Sequence, residues 1–157
     1  MAASRRVGDE NLSYEEAKDR EVNILHRLGY LDKQRRLYSH LYRRQGLIAE
    51  RVAHHLGLKS ASICRVEKPK FWLKGSFNVC VPVSIDDSTR VLMRFPLGYR
   101  VGDEFQPGNG DEKVRCEAGS YAWIRQECPD IPIPALYGFS LSSGQCVSGL
   151  NRPVPIC

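Results

Sequence analysis

The chain has 157 residues, 42% of them apolar and 26% charged, with a net charge of +5, and its mean hydropathy is −0.38. That length favours one domain with a modest core, and the composition disfavours both disorder and a membrane protein. No apolar run approaches the roughly 18 residues of a membrane span, and the opening "MAASRRVGDEN" lacks the apolar core of a secretory signal.

Residues 1–12 read as a flexible tail and 13–60 as a helical region. Ser13-Tyr14-Glu15-Glu16 has capping-box spacing, a hydroxyl for an early amide and a Glu that reaches back. Behind it Tyr14, Ala17, Ile24, Leu25 and Leu28 fall on one helical face, with Gly29 as the stop. A second helical run carries Leu37, Leu41, Ile48, Val52 and Leu56; Gly46 is a candidate break and Gly57 the end. Lys33, Arg35, Arg36, Arg43, Arg44, Arg51 and Lys59, against Asp32 and Glu50, hold the whole positive excess. Such a stripe meets nucleic acid or acidic lipid, or is a solvated face. No base-stacking aromatic pattern accompanies it, so the solvated face is favoured. His54 and His55 point about 100° apart on a helix and no third ligand is in view, so they read as a surface pair.

From Ile63 the period shortens. "ICRVEK" predicts a strand, and Val79, Val81, Val83 and Ile85 alternate with Cys80, Pro82 and Ser84 on the next. Pro82 cannot donate to a ladder, so that strand is expected at an edge or bulged. Asp86-Asp87-Ser88-Thr89 supplies a turn, and Val91, Met93 and Phe95 alternate on the return strand, which carries Arg94. "LGYRVGDEFQPGNG" reads as a long loop. A helix follows, capped by Asn109 or Asp111, and stops before Pro129. "PDIPIP" is an extended crossing, and "ALYGFSLSSGQCV" is strand, turn at Ser143-Gly144, strand. Trp72 and Trp123 read as core fillers, with stacking on a nucleotide base as the other use.

The six cysteines, Cys64, Cys80, Cys116, Cys128, Cys146 and Cys157, form no CxxC pair, so zinc-ribbon spacing is absent. They read as reduced thiols of a cytoplasmic protein, structural rather than redox-active.

The order of elements gives an α+β domain with an antiparallel sheet. On the helix after the hairpin, Val114, Glu117, Tyr121 and Ile124 form one stripe. A carboxylate turned toward a sheet is costly without a cation, and Arg94 is the cation nearest in the pattern. The alternative is a solvated Glu117 at the stripe's margin. Glycine-opened hairpin, strand cation, helix acid and two further strands follow the order of a protein-kinase-like small lobe, in which the cation orients the nucleotide phosphates and the acid holds the cation.

"FWLKGSFNVCVPV" and "VLMRFPLGYRVGDEFQPGNGDEKVRCEAGSYAWIRQECPDIPIPALYGFS" resemble the aminoglycoside-phosphotransferase-like, or choline-kinase-like, phosphotransferase family, closest to a group common in filamentous fungi. The likeness covers about Cys64 to Gln145, and "HHLGLK" upstream also fits. It implies the N-terminal lobe of a protein-kinase-like fold over 61–147, an antiparallel sheet of about five strands with a C-type helix, and a divergent, irregular tail over 148–157. It further implies that Gly75, Ser76, Phe77 and Asn78 lie at the nucleotide-loop turn, that Arg94 takes the place of the strand lysine, and that Glu117 takes that of the helix glutamate. Family members transfer the γ-phosphate of ATP, with Mg²⁺, to a hydroxyl of a small molecule.

The same likeness places a catalytic H-G-D…N block and a metal-binding Asp after the hinge. All four histidines, His26, His40, His54 and His55, precede Gly75, and after Gln145 the sequence departs from the family. No catalytic or metal-ligating residue is therefore assigned. The expectation is a truncated, ATP-binding-type lobe with negligible activity by itself and weak or absent nucleotide binding. A large lobe or another protein is expected at its exposed face. The alternative is a non-catalytic binding protein on the same lobe, and neither nucleic acid nor a membrane span is favoured.

Overall fold

The computed structural model describes residues 4–7, 10–20, 24–87 and 89–149. They divide into two compact units, Met1–Arg43 and Arg44–Cys157.

In the first unit, β1 (Ser4–Val7) pairs antiparallel with β2 (Glu10–Ser13), so the stretch expected to be a flexible tail contains a hairpin. Val7 and Leu12 alternate inward and are buried there. Ser13 then caps α1 (Tyr14–Lys18) by the reciprocal capping box its sequence predicts, with Glu16 Oε2 accepting from the Ser13 amide at 2.9 Å. α2 (Ile24–Leu28) ends at Gly29, and α3 (Tyr30–Arg43) follows. The shared apolar face expected here does not form, because Tyr14 and Leu25 are 76% and 80% exposed.

The second unit opens with α4 (Gln45–Leu56). The break from α3 falls at Arg44, not Gly46, and α4 therefore belongs with the sheet rather than with the N-terminal helices. It buries Ile48, Ala49, Val52 and Ala53 and ends in Gly57, whose φ of 67° closes the helix. Of the basic stripe, Arg35, Arg36 and Arg43 in the first unit and Arg44, Arg51 and Lys59 in the second are exposed, whereas Lys33 is half-buried.

β3 (Arg65–Val66), β4 (Leu73–Lys74), β5 (Asn78–Ser84) and β6 (Arg90–Pro96) make one antiparallel sheet. β5 is its centre: β6 pairs along one side, and β3 and β4 share the other. Pro82 was expected to force an edge or a bulge, and the chain solves the problem differently. The Pro82 carbonyl accepts from the Glu67 amide at 3.0 Å on the divided side. Its nitrogen faces the same way, into the gap between β3 and β4, where no ladder donor is needed. Val79, Val81 and Val83 are fully buried, and β6 alternates as its sequence predicts, with Val91, Met93 and Phe95 half-buried and Arg90, Leu92 and Arg94 exposed. Burial of each such valine contributes about 1.5–3 kcal/mol. The β5–β6 turn is closed by Asp86 Oδ1 accepting from the Thr89 amide at 2.6 Å. Ser88 of that turn lies outside the described residues.

The predicted loop after β6 contains a short helix, α5 (Gly98–Val101), and α6 (Asn109–Glu127) follows. Neither Asn109 nor Asp111 caps α6. Asp103 does, its Oδ1 accepting from the Gly110 amide at 2.9 Å. A Cβ on residue 110 would lie 2.8 Å from Asp103 Oδ2, so glycine is what admits the carboxylate. Asn109 instead donates to the Val101 carbonyl, and Asp111 accepts from Ser142. Val114, Glu117, Tyr121 and Ile124 are the half-buried stripe, as their spacing predicts.

β7 (Gly138–Ser140) and β8 (Cys146–Ser148) form a separate two-stranded sheet. The expected five-stranded sheet is therefore four strands plus a hairpin, and Ser148 completes β8 instead of opening an irregular tail. Residues 150–157 of that tail lie outside the described residues. Trp72 is buried, its Nε1 donating to the Glu67 carbonyl at 2.8 Å, whereas Trp123 is 59% exposed and fills no core. No helix among the described residues is long and apolar enough to cross a membrane.

Leu97, fully buried at the head of α5, tests this packing. Leu97→Ala is expected to cost about 2–5 kcal/mol in urea unfolding, while Leu25→Ala stays within about 0.5 kcal/mol.

Candidate functional site

β4 and β5 are joined by a tight turn at Ser76-Phe77, closed by the Gly75 amide donating to the Asn78 carbonyl at 2.9 Å. The Phe77 carbonyl accepts from the Leu97 amide at 2.8 Å, which ties the turn to the end of β6. Gly75, Ser76 and Phe77 are exposed there. Arg94 pairs in register with Cys80 of the central strand. Burial pushes the Cys80 thiol up, with Arg94 opposing that effect.

Glu117 reaches this strand from α6. Its Oε1 is 3.4 Å from Arg94 Nη2 and also pairs with Lys113 Nζ, one helical turn earlier. The Asn78 amide lies between: in one orientation its nitrogen donates to Glu117 Oε1 at 3.4 Å, and in the other its oxygen accepts from Arg94 Nη2 at 2.7 Å. Burial pushes the Glu117 carboxyl up. The hydrogen bond from Lys113 and the charges of Arg94 and Lys113 outweigh it and hold the group below the usual carboxylate range. Arg94 and Glu117 keep 42% and 33% of their side chains exposed, and so solvated a pair contributes only about 0–1 kcal/mol. Its value is positional: Arg94 is aimed and still presents donors to solvent.

Register places Leu73, Cys80 and Arg94 on one face of the sheet, with Pro82 and Leu92 beside them. Leu73 and Leu92 are 56% and 52% exposed, so an uncovered apolar surface adjoins the guanidinium. Sequence reasoning identified Asn78, Arg94 and Glu117, which the structure joins, and put Gly75, Ser76 and Phe77 at the adjacent turn. It missed Lys113, although the i,i+4 spacing to Glu117 is legible, and it missed Leu73 and Leu92, whose exposure only the register explains.

The part-exposed Arg94 guanidinium beside an open surface suits an anion such as a phosphate. The constellation does not suit Mg²⁺, which takes carboxylate oxygens. Glu117 Oε1 is already engaged by two cations, and no three His, Cys, Asp or Glu side chains gather as a metal site among the described residues. No family model matches this chain, and no curated protein or solved structure matches it either.

A carboxyl held below its unfolded value contributes stability that is complete above the unfolded pKa and is lost as pH falls through the folded one. Urea unfolding of wild type and Glu117→Gln should therefore differ most near pH 7, the gap closing as pH drops below about 4.3. A gap that is unchanged at pH 3 contradicts the ion-pair assignment.

Proposed function

We propose that the sheet and α6 form the nucleotide-phosphate half of a kinase-like small-molecule phosphotransferase, the small lobe of the aminoglycoside-phosphotransferase-like type. The observation that carries this reading is Arg94, held by Glu117 next to Asn78 at the end of the β4–β5 turn. In it, Arg94 binds phosphate oxygens, Glu117 orients it and is itself held by Lys113, and Leu73 and Leu92 offer the base an apolar surface. The chain's residues bind and orient in this account. None is assigned as the proton acceptor of transfer, a loss that by itself lowers such rates by about 10²–10⁴-fold.

A second reading, a non-catalytic binding protein on the same scaffold, draws on the exposure of Leu73, Phe77 and Leu92, a surface that a partner would cover. Mass that rises with concentration favours it, and a monomer over a wide range counts against it.

Calorimetry separates the two. ATP is expected to bind with a dissociation constant of about 1 mM or weaker, with no gain from Mg²⁺, and Arg94→Ala should abolish the heat. Micromolar or tighter Mg-ATP binding, or binding indifferent to Arg94, contradicts the proposal.

A further inference from the structure

Outside the phosphate site, α4 and the β7–β8 hairpin bring together a second set of reactive side chains. Ser140 pairs in register with Cys146 and Gly138 with Ser148, so all four lie on one face of the hairpin. His55 of α4 rests against that face. Its Nδ1 is 2.8 Å from Ser148 Oγ, and its Nε2 is 3.5 Å from Ser140 Oγ and 3.9 Å from Cys146 Sγ. Ser140 Oγ also lies 3.4 Å from Cys146 Sγ. A Cβ on residue 138 would overlap the imidazole, so Gly138 is what lets the ring approach the hairpin. The pair read from sequence as two surface histidines is therefore divided: His54 is exposed, and His55 is half-buried and bonded.

Burial first, and then the electrostatic effect of His54 and Arg51 on α4, hold the His55 imidazole below its ordinary range. It is neutral at pH 7, with one nitrogen donating and the other accepting. With Nδ1–H donated to Ser148, the Nε2 lone pair faces the Ser140 hydroxyl, which itself donates to Cys146 Sγ, and the Cys146 thiol, the titratable group that the hairpin presents to it. This is the geometry of a thiol beside its base. Of the other described cysteines, Cys64 and Cys80 have thiols that burial pushes up, Cys116 Sγ has the Glu112 carboxylate 3.9 Å away, and Cys128 is half-buried at the end of α6. Cys146 is half-buried and borders an open cleft of about 570 Å³, together with Arg115, Phe139, Leu141, Gln145 and Val147.

We propose that Cys146 is a reactive thiol, with His55 as its proton acceptor, that exchanges with small disulfides to give a mixed disulfide on this hairpin. Nε2 takes the Sγ proton and the thiolate attacks one sulfur of the reagent. The Cys146–sulfur bond forms as the reagent's S–S bond breaks, and the departing thiolate receives the proton from His55. One disulfide and one thiol are consumed and one of each is produced.

The test uses the full chain and glutathione disulfide, with occupancy of each cysteine read by peptide mass spectrometry. Cys146 is expected to react at least about tenfold faster than Cys64, Cys80, Cys116 or Cys128, and His55→Gln to slow it about tenfold or more. The wild-type rate at Cys146 should be nearly level between about pH 6.5 and 8, where a thiol without a base gains about tenfold per pH unit up to its own pKa near 8.5. Loss of packing alone does not flatten or steepen that profile. A wild-type slope of tenfold per unit overturns the proposal without recourse to any variant. So does a Cys146 no faster than the other thiols, or a His55→Gln rate and profile equal to the wild type's.

Discussion

A carboxylate on the half-buried stripe of a helix has to meet positive charge, and Glu117 meets it twice. Lys113 approaches from its own helix and Arg94 from the sheet. Desolvation opposes the ionised form there, and two cations overcome it. The consequence is geometric, because one oxygen atom ties α6 to β6 and fixes the direction of the guanidinium. Two further carboxylates complete the attachment of α6. Asp103 holds its N-terminus through the Gly110 amide, and Asp111 holds the β7–β8 turn through Ser142, whose amide and hydroxyl donate at 2.8 and 2.6 Å.

Stability and positioning come from different parts of this unit. Three fully buried valines on β5 supply the stabilising burial, while the ion pair is too solvated to add much. The sheet thus holds the strand in place, and the ion pair aims what the strand carries. The divided edge around Pro82 serves the same end: because β3 and β4 are separate, the chain between them is free to bring Leu73 into register beside Cys80 and Arg94.

Features governed by local chemistry were legible in the sequence. The capping box at Ser13, the turn at Asp86, the Gly57 stop and the alternation of β6 each depend on residues a few positions apart, and each was expected where it occurs. The Arg94–Glu117 pair was legible for a different reason: a charge in an apolar stripe demands a partner, and candidates were few. Features set by distant residues were not. The cap of α6 comes from Asp103 in the preceding loop, and the obvious local candidates were already committed elsewhere. The role of His55 depends on a hairpin more than 80 residues onward. The pairing of β1 with β2 was missed although Gly8-Asp9 between them is a two-residue turn signal, because the strands bury only Val7 and Leu12 and show little apolar alternation; the apolar face of α1 and α2 was read from periodicity although Tyr14 and Leu25 remain exposed.

The central claim is that Arg94, aimed by Glu117 beside the Gly75–Asn78 turn, makes this face of the sheet a phosphate seat. Amide chemical-shift mapping of the full chain during titration with ATP tests it most directly. The account predicts shifts concentrated at Gly75, Ser76, Phe77, Asn78, Leu92 and Arg94, and their disappearance in Arg94→Ala. Shifts centred on another surface, or an unchanged pattern in that variant, would contradict it.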